Sequence, residues 1–201
     1  MANICFTHYV LECEDKSKLQ RIHDAITYCN SPEYPKPKDG SHPSWTSNIL
    51  AELLMEHQPD RSWWVESDLV DGILHIYEES AWTRGVAINQ LLGQMNDPED
   101  EENNIEVYFY TEEPGCEIYE SNDDYHCHFY DEYVLDTSED KFYYDSFQSL
   151  LEGLGAFVGD TLLFDTFGEV EKYLEGYNET HQEDEKWAYA HAIDYTASIY
   201  Y

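Results

Sequence analysis

Positive charge is what this sequence has least of: 10 Lys and Arg stand against 43 Asp and Glu in 201 residues, a formal net charge of −33 with His neutral. Nucleic acid or an anionic lipid surface needs a basic stripe to neutralise phosphates, so the imbalance excludes both as direct ligands and leaves basic proteins or cations as partners. A membrane span is missing too. The best apolar stretch, residues 150–167, is cut by Glu152, three glycines and two aspartates, and falls short of the roughly 18 uninterrupted apolar residues required. The five cysteines (Cys5, Cys13, Cys29, Cys116, Cys127) form no CxxC pair, and the chain opens without a charged segment leading into an apolar run. We therefore expect a cytoplasmic protein with reduced thiols. P-loop, GxSxG and HExxH motifs are absent, and nothing in the sequence argues for an enzyme.

What is present is aromatic: 18 Tyr, 8 Phe and 5 Trp, or 15% of the chain. That content separates it from hydrophobe-poor disordered chains and predicts a folded protein of one or two domains. Residues 3–13 are rich in β-formers, and the following Leu19, Ile22, Ile26 and Cys29 recur at helical spacing, so a strand then a helix is expected. Prolines 32, 35, 37 and 43 with Gly40 make 31–44 a loop. Ser47 is the expected cap of a short helix whose Ile49, Leu50, Leu53 and Leu54 form one stripe, ended by Pro59. Two strands joined near Asp71-Gly72 follow, and then a helix over 83–95.

Residues 104–144 read as an antiparallel meander of four strands, including Tyr125–Leu135, with one apolar face and one acidic, tyrosine-rich face. Three helical stretches are expected after it, the last over 185–201, where Trp187, Ala190, His191 and Asp194 share a helical face. The fold class is α+β, an antiparallel sheet with packed helices. The expected domains are a 1–147 α+β domain and a 148–201 helical region packed on it.

Charge is unevenly placed. Between Gly85 and Asp140 there are 17 carboxylates and no Lys or Arg. A folded chain of this size exposes about 10,000 Å², so −33 averages near one charge per 300 Å², against roughly one per 100 Å² on duplex DNA. Gathering those 17 on one face would bring the local density close to that of a duplex. The expected partner-binding set is Glu112, Glu113, Glu117, Glu120, Asp123, Asp124, Asp131 and Glu132, with Asp97, Glu99, Asp100, Glu101 and Glu102 in an exposed loop. Such a surface would act as a DNA mimic, its carboxylates occupying the phosphate-binding Lys and Arg of a basic nucleic-acid-binding protein while tyrosines stack on arginine. The competing interpretation is a solvated acidic surface that serves solubility or a salt-rich habitat.

Metal and catalytic signals are sparse. His126 and His128, at i and i+2 of an expected strand, project from one face and need a further ligand such as His75 to hold zinc, so solvent-facing histidines are the favoured interpretation. No cofactor is expected. Gly153, Gly155 and Gly159 have GxGxxxG spacing after a helical pattern and read as a helix end, not a dinucleotide loop. The Glu139-Asp-Lys141 and Asp184-Glu-Lys186 triplets match half of a metal nuclease site, but such a site must bind DNA. A Cys127–His75 nucleophile pair depends on geometry.

Three segments carry a resemblance: Met-Ala-Asn-Ile-Cys at the start, Glu79-Ser-Ala-Trp82-Thr, and Tyr110-Thr-Glu-Glu-Pro-Gly115 followed by Cys116-Glu-Ile-Tyr119. Over about residues 1–135 the chain resembles the YubB-like ferredoxin-like domains of phages and plasmids. It departs from their pattern in lacking a Trp near residue 4, prolines after Trp82 and a Gly after the Tyr119 strand. The resemblance implies a ferredoxin-like α+β fold and a mobile-element setting. In that setting a chain without catalytic motifs is expected to be an anti-restriction or anti-CRISPR inhibitor in the host cytoplasm. The alternative is a structural or cation-binding phage or plasmid domain with no such target.

Overall fold

A computed structural model describes residues 4–37, 42–56, 61–81, 84–181 and 186–199. Expectations for the first three residues, Lys38 and Gly40, Pro59, Trp82-Thr83, Asp184-Glu185 and the last two tyrosines lie outside the described residues. The chain forms two compact units, one of Met1–His128 with Tyr195–Tyr201 and one of Phe129–Asp194.

The first unit runs β1 (Ile4–Glu12), α1 (Lys16–Asn30), α2 (Thr46–Glu52), β2 (Ser62–Val70), β3 (Ile73–Ala81), α3 (Ala87–Met95), β4 (Glu106–Glu113) and β5 (Ile118–Ser121). Its sheet has the order β2-β3-β1-β4-β5, every neighbouring pair antiparallel. The first four strands follow the β-α-β-β-α-β order with the two crossovers interleaved, the split βαβ arrangement. The α+β class is as expected.

Local chemistry sets these elements. The Asp15 carboxylate accepts from the Ser17 N–H at 3.0 Å, which starts α1, and the helix buries Leu19, Ile22, Ala25, Ile26 and Cys29 along one face. Asp71 and Gly72 have φ of 52° and 80°, the left-handed pair that a two-residue hairpin between β2 and β3 demands. Along β1, Tyr9 and Leu11 are fully buried, and opposite them in register stand Ile76 and Leu74 of β3 and Phe109 and Val107 of β4. These residues form one core with the apolar faces of the three helices. The α2 expectation needs correction: no side chain caps this helix, and Leu54 turns out of the stripe with φ 61° and is 91% exposed.

The second unit holds β6 (Tyr133–Thr137), β7 (Lys141–Tyr144), α4 (Phe147–Val158), α5 (Phe167–Thr180) and β8 (Ala188–Ala192), with the antiparallel order β7-β6-β8. Ser146 accepts from the Ser149 N–H to open α4, and Thr166 and Glu169 form a reciprocal capping box on α5. The glycine-rich segment is a helix end, as expected: Gly159 caps α4 with φ 78°, and a Cβ on Gly155 would sit 2.7 Å from the Asp160 carbonyl.

Two expectations fail. The four-strand meander is two separate strand pairs, because residues 122–132 form no strand. The terminal helix is instead β8, in which Ala188 and Ala190 turn inward beside Thr137 and Leu135 of β6 while Tyr189 points out. The first compact unit runs to His128, and the chain returns to it at Tyr195. No helix among the described residues is long and apolar enough to cross a membrane.

Candidate functional site

The acidic loop is built as expected in one respect. Asp97, Glu99, Asp100, Glu101 and Glu102 are all exposed, on a segment with a short 3-10 turn over Glu101–Asn103. Asparagines hold its shape. Asn96 pairs with the Ile105 backbone through both its amide groups, and Asn104 does the same with Asp97. The Lys18 ammonium donates to the Met95 and Asn103 carbonyls at 3.0 and 2.6 Å, so this cation fastens the loop backbone.

The remaining expected residues do not share one face. Glu113 and Asp123 are each 1% exposed, which removes both from any partner surface. Asp123 instead holds the following turn together, its two oxygens accepting from the Cys127 N–H at 2.9 Å and the His128 N–H at 2.6 Å. Glu112 pairs in register with Tyr119, whereas Glu120 pairs with Thr111, so these two carboxylates leave the β4–β5 pair on opposite faces. Glu117 and Asp124 are exposed in the turns beyond. Asp131 and Glu132 belong to the second unit, where burial, helped by nearby Asp145, raises the Asp131 carboxyl above its ordinary range.

On the sheet face opposite the helices lies a cluster that sequence reasoning missed. His8 of β1 meets His75 of β3 with Nε2 and Nδ1 3.0 Å apart and stacks on Tyr77 at 4.6 Å between centroids. His128 arrives from the 122–128 loop, 4.7 Å from the Tyr108 ring, with its Nε2 3.6 Å from the Glu12 carboxylate. Burial first, and then the neighbouring His75 and His128, lower the His8 pKa to about 4. His75 is lowered as well, by burial and by His128. Burial and Glu106 push the Tyr108 phenol up to about 12. The alternation of His8 and His75 within two strands was the available signal, since β1 and β3 are neighbours only once the sheet order is known.

His126 and His128 do not share a strand face. His126 has φ 53° and packs on Tyr195, while His128 turns to Tyr108 and Glu12. Among the described residues no group of three or more His, Cys, Asp or Glu is arranged to hold a metal ion. The Cys127 thiol is raised by desolvation and by Asp123, which opposes the thiolate a nucleophile needs.

The core beneath the cluster contains buried polar groups. Glu78, 2% exposed, accepts from the Trp64 indole N–H at 2.9 Å, the Gly85 N–H at 2.8 Å and the Tyr9 hydroxyl at 3.2 Å. Arg84 lies 3.7 Å from the Phe109 ring centroid and donates to the Ser198 carbonyl at 2.7 Å. Compared with protein-family models, curated proteins and solved structures, the chain matches none.

Proposed function

We propose that this chain is a non-enzymatic acidic inhibitor carried by a mobile element, acting in the host cytoplasm as a DNA mimic that blocks the nucleic-acid groove of a defence enzyme of restriction or CRISPR type. The observation that carries the reading is the 97–102 loop: five carboxylates in six residues, all exposed, on a backbone pinned by Asn96, Asn104 and Lys18. Carboxylates held in place lose little freedom when they meet guanidinium and ammonium groups, and a −33 chain draws basic partners in over long range. Glu112, Glu117 and Asp124 are further carboxylates of the same unit at exposed or half-exposed positions. The split βαβ strand order supports the ferredoxin-like part of the resemblance from which the mobile-element setting is inferred.

The test is capture of partners from cells carrying defence systems, at about 0.1 M and about 0.5 M salt, a range over which screening becomes strong. A nucleic-acid-binding enzyme should be retained at low salt only. Reversing Glu99, Asp100, Glu101 and Glu102 to Lys should abolish its capture without lowering the melting temperature. Undiminished capture by that variant would overturn mimicry. A second reading, a structural or cation-binding domain, is favoured by the exposed apolar surface at Leu163 (90%) and Tyr125 (83%). A concentration-dependent oligomer with no basic partner would select it.

A further inference from the structure

One row of side chains crosses the helix-free face of the five-stranded sheet in strict register: Trp63 of β2, Glu79 of β3, Phe6 of β1, Glu112 of β4 and Tyr119 of β5. Aromatic and carboxylate alternate along it. Neighbouring strands lie about 4.8 Å apart, so Glu79 stands between two rings, each within side-chain reach. The Trp45 indole meets Trp63 edge-on at 6.1 Å and 73°, fixing one wall. Beside this wall lies a groove of about 420 Å³ lined by Ile4, His42, Ser44, Trp63, Val65 and Glu79, among others. Ile4, Phe6 and Val65 remain 47%, 45% and 41% exposed, and the Glu79 carboxylate has no ion-pair partner among the described residues.

We propose that this groove seats an arginine side chain of the basic protein partner, a step that rests on the partner class proposed above. Charge complementarity selects the occupant: an anionic chain with a carboxylate on an aromatic floor takes a cation and repels an anion. Arginine fits the walls better than lysine, because guanidinium is planar, weakly hydrated, stacks on aromatic faces and bonds a carboxylate through two N–H groups. Buried aromatic and arginine contacts are also where interface energy concentrates. The acidic loop thereby supplies attraction over distance, and the groove supplies a specific anchor.

The probes are capped nona-arginine and nona-lysine peptides titrated into the intact protein at about 0.5 M salt, where long-range attraction is screened, read by calorimetry and by the Trp63 indole N–H resonance. Nona-arginine should bind about tenfold tighter and shift Trp63 but not the buried Trp64. Glu79→Gln combined with Phe6→Ser, both on exposed or half-exposed positions, should remove that preference while circular dichroism stays unchanged. At about 0.1 M salt, where the long-range attraction acts, the loop variant Glu99, Asp100, Glu101, Glu102→Gln should weaken both peptides equally and keep the ratio. An arginine preference that survives the groove variant, or equal binding of the two peptides to the parent, overturns the groove. Loss with the groove variant and none with the loop variant keeps the groove and overturns the loop as the binding surface.

Discussion

Replacing His8 should flatten part of the pH dependence of stability, and the structure fixes the window and the sign. The groups facing His8 are His75 and Tyr77 of β3, Tyr110 of β4 and His128 from the adjoining loop. None of these is a carboxylate, so none of them favours the imidazolium. The folded-state pKa near 4 lies below the ordinary 6.5, and between those values the unfolded chain binds the proton that the folded chain refuses. Stability that is fully present above pH 6.5 is therefore lost as the pH falls toward 4. At about 1.4 kcal/mol per pH unit the gap corresponds to ~3 kcal/mol. His8 is only half-buried, and solvent screening brings the expected loss to about 2 kcal/mol. The assay is urea unfolding of the parent and of His8→Asn at four values stepped from neutral down to pH 4, since the difference cancels the titration of the many carboxylates. The parent should lose about 2 kcal/mol relative to the variant across that series. Parallel curves, or a parent that gains on the variant in acid, would refute the reasoning.

Glu78→Ala should strand the Trp64 indole, the Gly85 amide and the Tyr9 hydroxyl; at ~1–3 kcal/mol for each buried unpaired group, urea unfolding should show a loss of about 4 kcal/mol or more, whereas Glu78→Gln keeps two acceptor sites on its amide oxygen and should cost less. Asp123→Ala should free the Cys127 and His128 amides and release His128 from Tyr108, seen as faster hydrogen exchange over residues 126–128 and a loss of about 2–3 kcal/mol. Gly155→Ala should force α4 away from the Asp160 carbonyl and destabilise the second unit by ~1–3 kcal/mol, measured by thermal unfolding.

Periodicity alone located α1, the β2–β3 hairpin, α4 and α5, because each buries one clean stripe or carries its own turn chemistry. It misassigned residues 186–194 because Trp187, Ala190, His191 and Asp194 satisfy a helical spacing by chance. The real two-residue alternation of Ala188 and Ala190 gains its meaning only from β6 alongside. Tyr125–Glu132 had strand composition, but Asp123 captures two backbone amides there and His126 takes a left-handed conformation, so local hydrogen bonding overrides propensity. The acidic loop was legible as a run without apolar residues. The burial of Glu113 and Asp123 was not, since a strand register and a side-chain cap decide it. The His8–His75 pair and the Trp63–Glu79–Phe6 row depend on strands far apart in sequence, and no local pattern encodes them.

The return of the chain to the first unit at Tyr195 sets an order of events during synthesis. Ala197 and Ile199 pack against the first unit's core, and the Ser198 carbonyl takes the Arg84 hydrogen bond, yet this segment leaves the ribosome only after all of residues 129–194. The nascent first unit must wait with that patch bare while the second unit is made. Collapse of residues 129–194 into a compact body draws their two ends together and shortens the effective loop, which lowers the entropic cost of the final closure. Residues 195–199 thus reach the core of the five-stranded unit only after the intervening unit has been made, which places that contact among the longest-range ones of the first unit.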